Sequence, residues 1–284
     1  MAFAELKEAL ILLKRLPLLW VPGIIGGFLA ASLWVIYNLG GMFFSSRLLV
    51  IAWLVLLVFT TGILVVIRNK GGDIRAMLEG GARYYFKVLL PQLVIIFIGM
   101  VVVLLVMITF ALLGATSDTS MATALTIGFM IPTIILTFFF DTAAVFEERK
   151  VFESLKRSIQ LVFAHMNNVI AFLLIWAAIF FGIIFCLMAV WSFFLIIFLY
   201  DKLEPITRYN ETQLMAFTPD QLLAMIGPEG MWITALVLFI GGLLLIPIFY
   251  SYKSCFYKKI AQGVVITQEA TTGEYDSKGR YYKY

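Results

Sequence analysis

Asp141 is the residue whose type and position could most readily support chemistry, because it directly follows an apolar, aromatic run at 136–140. A carboxylate close to hydrocarbon is costly, and such groups pair with a cation or line a path for ions or protons. We expect Asp141, at a helix end, to reach water or to pair with Lys150, Lys156 or Arg157, which follow it in the sequence. A transport or proton role is the alternative, and an Asp141→Asn change that left transport intact would exclude it.

The other reactive side chains are too few and too scattered to predict a catalytic or metal site. His165 is the only histidine, and no cysteine or carboxylate flanks it at the spacing of metal ligands. Cys186 and Cys255 fall at different depths of the apolar pattern, so we expect two free thiols. The patterns of serine hydrolases, zinc metalloproteases and phosphate-binding loops do not occur. We therefore predict a protein that is not an enzyme, uses no cofactor or metal, and binds no nucleic acid.

The composition indicates that these residues are positioned by helices in a lipid bilayer. Hydrophobic residues make up 62% of the chain and charged residues only 13%, against roughly 25% charged residues in soluble proteins. Apolar runs of about 18 or more residues recur, and this length is needed to cross the hydrocarbon core. We predict an all-α membrane bundle of six transmembrane helices, near residues 16–39, 48–67, 90–113, 121–140, 169–200 and 231–250.

Positive charge predicts the orientation of this bundle. Most of the 21 Lys and Arg residues fall in alternate gaps between the predicted spans, and such an excess marks the cytoplasmic side. Both termini are therefore predicted to be cytoplasmic, in a multi-pass protein of the cell membrane. We assign residues 1–266 to one membrane domain and residues 267–284 to a polar C-terminal tail.

Three cytoplasmic segments have the apolar spacing of amphipathic helices, at the first residues, at 75–89 and at 148–166. Helices of this kind lie in the headgroup layer, with their basic side chains near anionic lipid. The candidate contacts with lipid headgroups are Lys14, Arg15, Arg83, Lys87, Lys156, Arg157, Lys258 and Lys259.

Small residues repeat every fourth position in two of the predicted spans. Gly23, Gly27 and Ala31 form one such face, and residues 178, 182 and 186 form another. Such faces allow helix backbones to approach closely and support association in membranes. We expect them, together with the C-terminal tail, to serve packing or contact with a protein partner or a second copy of the chain.

The segment 141–162 carries a resemblance to known families. It runs from the end of an apolar span through an acidic turn into Glu153-Ser154-Leu155-Lys156-Arg157-Ser158. This pattern resembles uncharacterised prokaryotic membrane families that look like the membrane domain attached to some glycerophosphodiester phosphodiesterases. The resemblance implies a helical membrane domain and no activity, since the catalytic domain of those enzymes has no counterpart in this chain.

Two functions follow as hypotheses. The first is a non-enzymatic scaffold or accessory subunit of a prokaryotic cytoplasmic membrane, which engages lipid headgroups and a protein partner. The alternative is a small permease or lipid-handling transporter, with a pathway through the helix bundle and Asp141 at its inner mouth. A transporter needs a polar or water-accessible cavity within the membrane, whereas a scaffold predicts a close-packed interior.

Overall fold

A computed structural model describes residues 2–112, 119–203, 219–263, 273–275 and 281–283. The described chain is helical apart from one short antiparallel ribbon in the C-terminal segment, in which Glu274 pairs with Tyr282. The elements, in chain order, are α1 (Ala2–Arg15), a 3-10 turn (Pro17–Trp20), α2 (Val21–Asn69), α3 (Ile74–Leu112), α4 (Thr119–Leu136), α5 (Phe140–Phe146), α6 (Val151–Ala164), α7 (Met166–Leu203), α8 (Pro219–Gly263), β1 (Gly273–Tyr275) and β2 (Tyr281–Lys283).

Among the described residues, five helical segments are long and apolar enough to cross a membrane. Large apolar side chains such as Phe97 and Phe185 lie on the outside of the bundle, which fits a protein whose solvent is lipid. The predicted helical class and the predicted membrane character are both confirmed at this level. The segments are Pro17–Asn69, Ile74–Leu112, Thr123–Phe146, Met166–Phe198 and Gly227–Gln262.

The first of these segments folds back on itself at Gly41. Gly41 has a φ of 76° and a ψ of 178°, a conformation that lies outside the helical region and favours glycine. A Cβ atom at Gly26 would lie 3.2 Å from Leu56 Cδ1, although an unbroken helix would hold these residues about 45 Å apart at 1.5 Å per residue. The two halves of α2 therefore run in opposite directions.

Two predicted helices differ in extent from those in the structure. The amphipathic segment at 75–89 is continuous with the span that follows it, because α3 runs without interruption from Ile74 to Leu112. The long apolar run at 169–200 forms one helix, α7, of 38 residues. α7 continues through Gly182 without a break.

The first half of α2 packs closely against α8, and the predicted small-residue face at Gly23 and Gly27 forms this contact. A Cβ atom at Gly27 would lie 2.3 Å from the backbone oxygen of Phe239, and one at Gly23 would lie 2.6 Å from that of Leu243. The face is therefore used within the chain. The second predicted face, residues 178, 182 and 186, is exposed on α7.

α1 and α6 bury small and polar side chains together with some large apolar ones, which are Leu13 in α1 and Leu161 and Val162 in α6. In α6, Ser154, Arg157 and Ser158 point into the bundle, while Phe152 is 72% exposed. In α1, Glu5 is buried beside Lys259, with 3.2 Å between Lys259 Nζ and Glu5 Oε1. The sequence pattern identified two helices of the structure, and the buried face of each contains polar as well as apolar residues.

Candidate functional site

Asp141 is positioned by an interruption between α4 and α5. α4 ends at Leu136, the chain turns through residues 137–139, and Asp141 lies in the first turn of α5. The Ser158 hydroxyl of α6 bridges this turn: it donates to the Leu136 carbonyl oxygen at 2.8 Å and accepts from the Phe139 N–H at 2.9 Å. Because the freed backbone groups are satisfied by α6, the interruption is a stable feature of the bundle.

The partner of Asp141 is Lys253 of α8, and not Lys150, Lys156 or Arg157. Lys253 Nζ lies 2.8 Å from Asp141 Oδ1 and donates to Oδ2 at 2.9 Å. Both residues are buried, with exposed fractions of 7% for Asp141 and 4% for Lys253. The prediction that Asp141 pairs with a cation is thus correct, but the predicted partner residues are wrong.

Other groups complete the surroundings of the Asp141–Lys253 pair. The Thr142 backbone N–H donates to Asp141 Oδ1 at 2.6 Å, and the Thr142 hydroxyl donates to the same oxygen at 3.1 Å. The Lys253 ammonium lies 4.5 Å from the centroid of the Phe138 ring and 5.5 Å from that of Phe249. These rings add cation–π attraction in a dry environment, so both charges are compensated inside the protein.

The Asp141–Lys253 pair lines a cavity of about 410 Å³ between α2, α3, α4, α5 and α8, which we call the Asp141 cavity. Its volume is within the range of about 300–1,000 Å³ that is typical of small-molecule sites. The lining residues are Trp53, Leu56, Leu57, Thr60, Thr61, Leu64, Val88, Gln92, Ile95, Ile96, Met130, Ile134, Thr137, Phe138, Phe140, Asp141, Tyr250 and Lys253.

The polarity of the Asp141 cavity changes along the helices that line it. On α2, the polar residues Thr60 and Thr61 lie closer to the C-terminal end of the helix at Asn69 than the apolar residues Trp53 and Leu56 do. On the opposite wall, Asp141 follows the apolar lining residues of α4 in the sequence. Ile96 and Ile134 line the cavity and are also exposed on the outer surface of α3 and α4. Most polar lining residues therefore lie at one end of the cavity, and the other end is mainly apolar, with Gln92 as its polar residue beside Ile95 and Ile96. The cavity opens sideways toward the surroundings of the bundle.

Beside the cavity, two consecutive glutamates form hydrogen bonds with residues of four helices. We call these two residues, Glu147 and Glu148, the acidic turn. Glu147 Oε1 accepts hydrogen bonds from Arg157 Nε of α6 at 3.0 Å and from the Tyr257 hydroxyl of α8 at 2.6 Å. Glu148 Oε1 accepts from Arg68 Nη2 of α2 and from the Tyr84 hydroxyl of α3, both at 2.7 Å. We call this end of the bundle, where α1, the acidic turn and the end of α8 meet, the charged end.

The acidic turn has lowered pKa values. Burial raises the pKa of Glu147, but hydrogen bonds from Tyr257 and Arg157 outweigh it, so the pKa lies below its usual value. Hydrogen bonds from Tyr84 and Arg68 lower the pKa of Glu148 to about 2. Both groups are therefore carboxylates at neutral pH, and they link the helices as anions.

These pKa values predict loss of stability in acid. A carboxylate whose folded-state pKa is lowered stabilises the fold above its unfolded-state pKa, and this contribution is lost as the pH falls through the folded-state value. For Glu148 the window runs from 4.5 down to about 2. We expect Glu148→Gln to weaken the pH dependence of thermal unfolding in this window, whereas Glu79→Gln, in an exposed pair with Arg75, should leave it unchanged. Equal pH profiles of Glu148→Gln and the unaltered protein would contradict this assignment.

The predicted lipid-contacting cations separate into two groups in the structure. Lys14, Arg15, Arg83, Lys156 and Lys259 are exposed at the charged end. Of these, Lys259 also pairs with Glu5, and the other three predicted cations are less exposed and are bound by groups of the protein.

Arg157 is only 5% exposed and pairs with Glu147. Lys258 donates to the Ile67 carbonyl oxygen at 2.9 Å, and Lys87 donates to the Glu148 carbonyl oxygen at 3.4 Å. Arg157 in particular is a structural residue of the interior and is not available to a headgroup, because its partner lies inside the bundle.

Sequence reasoning missed Lys253, Thr61 and Tyr250 as residues of the site. Lys253 was grouped with the other cations of the C-terminal region, and no local pattern links it to Asp141. One available signal was its position three residues after Tyr250, which places both side chains near the same face of a helix. Among the described residues, no group of three or more potential metal ligands occurs.

Comparison with known proteins yields one match. A family described as a domain of unknown function, DUF7847, matches residues 2–260. No curated protein and no solved structure matches the chain. The resemblance to the membrane domain of glycerophosphodiester phosphodiesterases stays a prediction.

Proposed function

The chain belongs to the DUF7847 family, and for this member we propose a lipid-handling function in which the Asp141 cavity receives an amphipathic molecule from the membrane. The observation that carries the proposal is the graded lining of the cavity, with Thr61, Asp141 and Lys253 at one end and isoleucines at the other. An amphiphile would place its polar head at the Asp141–Lys253 pair and its chain among the apolar residues. The half-exposed Ile96 and Ile134 supply the lateral entry that a membrane-dissolved ligand requires.

This proposal includes the membrane arrangement of the chain. We infer six spans, because the fold-back at Gly41 divides the first apolar segment into two antiparallel halves. The charged end is inferred to face the cytoplasm with both termini, since the sequence places its basic residues there. Labelling of introduced cysteines from either side of sealed cell-membrane vesicles would check this orientation.

A variant that narrows the cavity mouth tests the function. Ile134→Trp places a larger side chain at the opening, and we expect it to reduce the lipid that remains bound after purification in mild detergent, measured by native mass spectrometry, by at least about threefold. Ile131→Trp is the matched control: Ile131 lies on the same helix and is 52% exposed, against 53% for Ile134, but it does not line the cavity.

The same purification separates lipid handling from the scaffold hypothesis. Equal lipid occupancy in both variants would contradict a role for the cavity. A protein that co-purifies in stoichiometric amount, without lipid that depends on the cavity, would favour the scaffold or accessory function. The exposed small-residue face of α7 and the C-terminal tail stay predicted contact surfaces for such a partner. Most of the tail lies outside the described residues.

A further inference from the structure

We propose that the Asp141 cavity selects a lipid whose polar head is uncharged and carries a hydroxyl or carbonyl group, such as a diacylglycerol, a long-chain alcohol or a quinone. This inference rests on the lipid-handling function proposed above and specifies its ligand class. It is drawn from the charge balance of the cavity and from one buried hydroxyl group that lacks a partner.

The charge balance excludes a simple anionic head. Asp141 and Lys253 are the only residues with ionised side chains among the described lining of the cavity, and they neutralise each other at 2.8 Å. A phosphate drawn to Lys253 would have to compete with Asp141, and it would leave that carboxylate buried without its cation. Breaking a buried pair in this way is strongly unfavourable. An uncharged head can instead accept or donate hydrogen bonds at this end of the cavity without separating the two charges.

Thr61 provides the second observation. Thr61 is only 1% exposed and lines the cavity, yet its Oγ1 atom has no hydrogen-bond partner among the described groups. Its neighbours in the same lining differ: the Thr60 hydroxyl donates to the Leu57 carbonyl oxygen at 3.2 Å, and the Thr137 hydroxyl donates to that of Thr133 at 2.7 Å.

A buried hydroxyl without a partner is costly, and most such groups in native proteins are paired. Thr61 Oγ1 can both donate and accept a hydrogen bond, so it suits a hydroxyl or carbonyl group on the ligand. The combination of a self-neutralised ion pair with one free hydroxyl matches an uncharged polar head on an apolar chain.

Paired photoactivatable lipids test this inference on the full-length protein in vesicles. One probe is a diacylglycerol with a diazirine in an acyl chain, and the other is the phosphatidic acid with identical chains. We expect the diacylglycerol probe to label cavity residues at least about tenfold more than the phosphatidic acid probe. Excess unlabelled oleyl alcohol or decyl-quinone as competitor then distinguishes a hydroxyl head from a carbonyl head.

Thr61→Val supplies the residue-specific arm. It preserves the shape of the side chain and removes the hydroxyl, and we expect diacylglycerol labelling to fall about three- to tenfold, which corresponds to one lost hydrogen bond. Thr137→Val is the control, since Thr137 lines the same cavity and its hydroxyl is bound to the Thr133 carbonyl oxygen. Comparable thermal unfolding of both variants would show that folding is not the cause.

The outcomes separate the two proposals. Equal or stronger labelling of the cavity by phosphatidic acid, or unchanged labelling in Thr61→Val, overturns the inference about the head and leaves the lipid-handling function in place. If neither probe labels cavity residues, both proposals fail.

Discussion

Asp141→Ala is expected to lower the free energy of unfolding by about 3–5 kcal/mol, the usual cost of breaking a buried ion pair by removing one partner. The physical reason is that the Lys253 ammonium stays buried, since it is only 4% exposed between the rings of Phe138 and Phe249. The measurement is denaturant titration of the purified protein in detergent, followed by circular dichroism.

A double variant distinguishes an unpaired charge from a simple loss of contacts. Asp141→Asn combined with Lys253→Met removes both charges, and we expect it to recover most of the stability lost in Asp141→Ala, because an apolar replacement of a buried pair is often neutral. Glu79→Ala breaks the exposed pair with Arg75 and should cost no more than about 0.5 kcal/mol. Similar losses in Asp141→Ala and Glu79→Ala would contradict the structural importance of the buried pair.

Gly27→Ala is expected to produce the second large effect, a loss of about 3 kcal/mol, at the upper end of the range for overpacked interiors. The added Cβ atom would lie 2.3 Å from the Phe239 backbone oxygen and 3.2 Å from its Cα atom. Neither atom can rotate away as the tip of a side chain can, so α2 and α8 must separate. The same titration in detergent measures the effect.

Gly128→Ala is the matched control for this change. Gly128 also lies within a transmembrane helix, but no described atom lies within 4 Å of the position that its Cβ atom would occupy. Alanine favours a helix over glycine by up to about 1 kcal/mol, so this variant should be neutral or slightly more stable. Equal effects of the two substitutions would mean that α2 and α8 do not pack as closely as the structure indicates.

The sequence determined the features that depend on local composition. Lipid offers no hydrogen-bond partners to the backbone, so long apolar runs must form helices. The predicted runs largely fall within helices of the structure, although the fourth is interrupted at residues 137–139. The turn at Gly41 and the non-helical Gly227 fall between predicted spans. The sequence also singles out Asp141 as a noteworthy polar residue, because a carboxylate beside an apolar run is unusual whatever its partner is.

The candidate site is formed by contacts between residues that are far apart in the sequence. Asp141 and Lys253 are 112 residues apart in the sequence, and no periodicity relates them. The unpaired state of the Thr61 hydroxyl is also invisible in the sequence, since Thr60 beside it has the same side chain and its hydroxyl does have a hydrogen-bonding partner. Whether a hydroxyl binds its own helix or faces a cavity depends on rotamers and neighbours that only the folded bundle fixes.

The buried faces of α1 and α6 show why the sequence determines where helices form but not how they pack. An amphipathic pattern identifies a helix, and in water its large apolar face would be the packed one. In a bilayer, apolar side chains are already solvated by lipid, so small residues and internally paired polar groups can share the contacts between helices with apolar residues such as Leu161. Phe152 therefore faces outward while Ser158 and Arg157 face inward. Helix formation was determined by the sequence alone, whereas the choice of buried face and of ionic partners was decided by the tertiary structure.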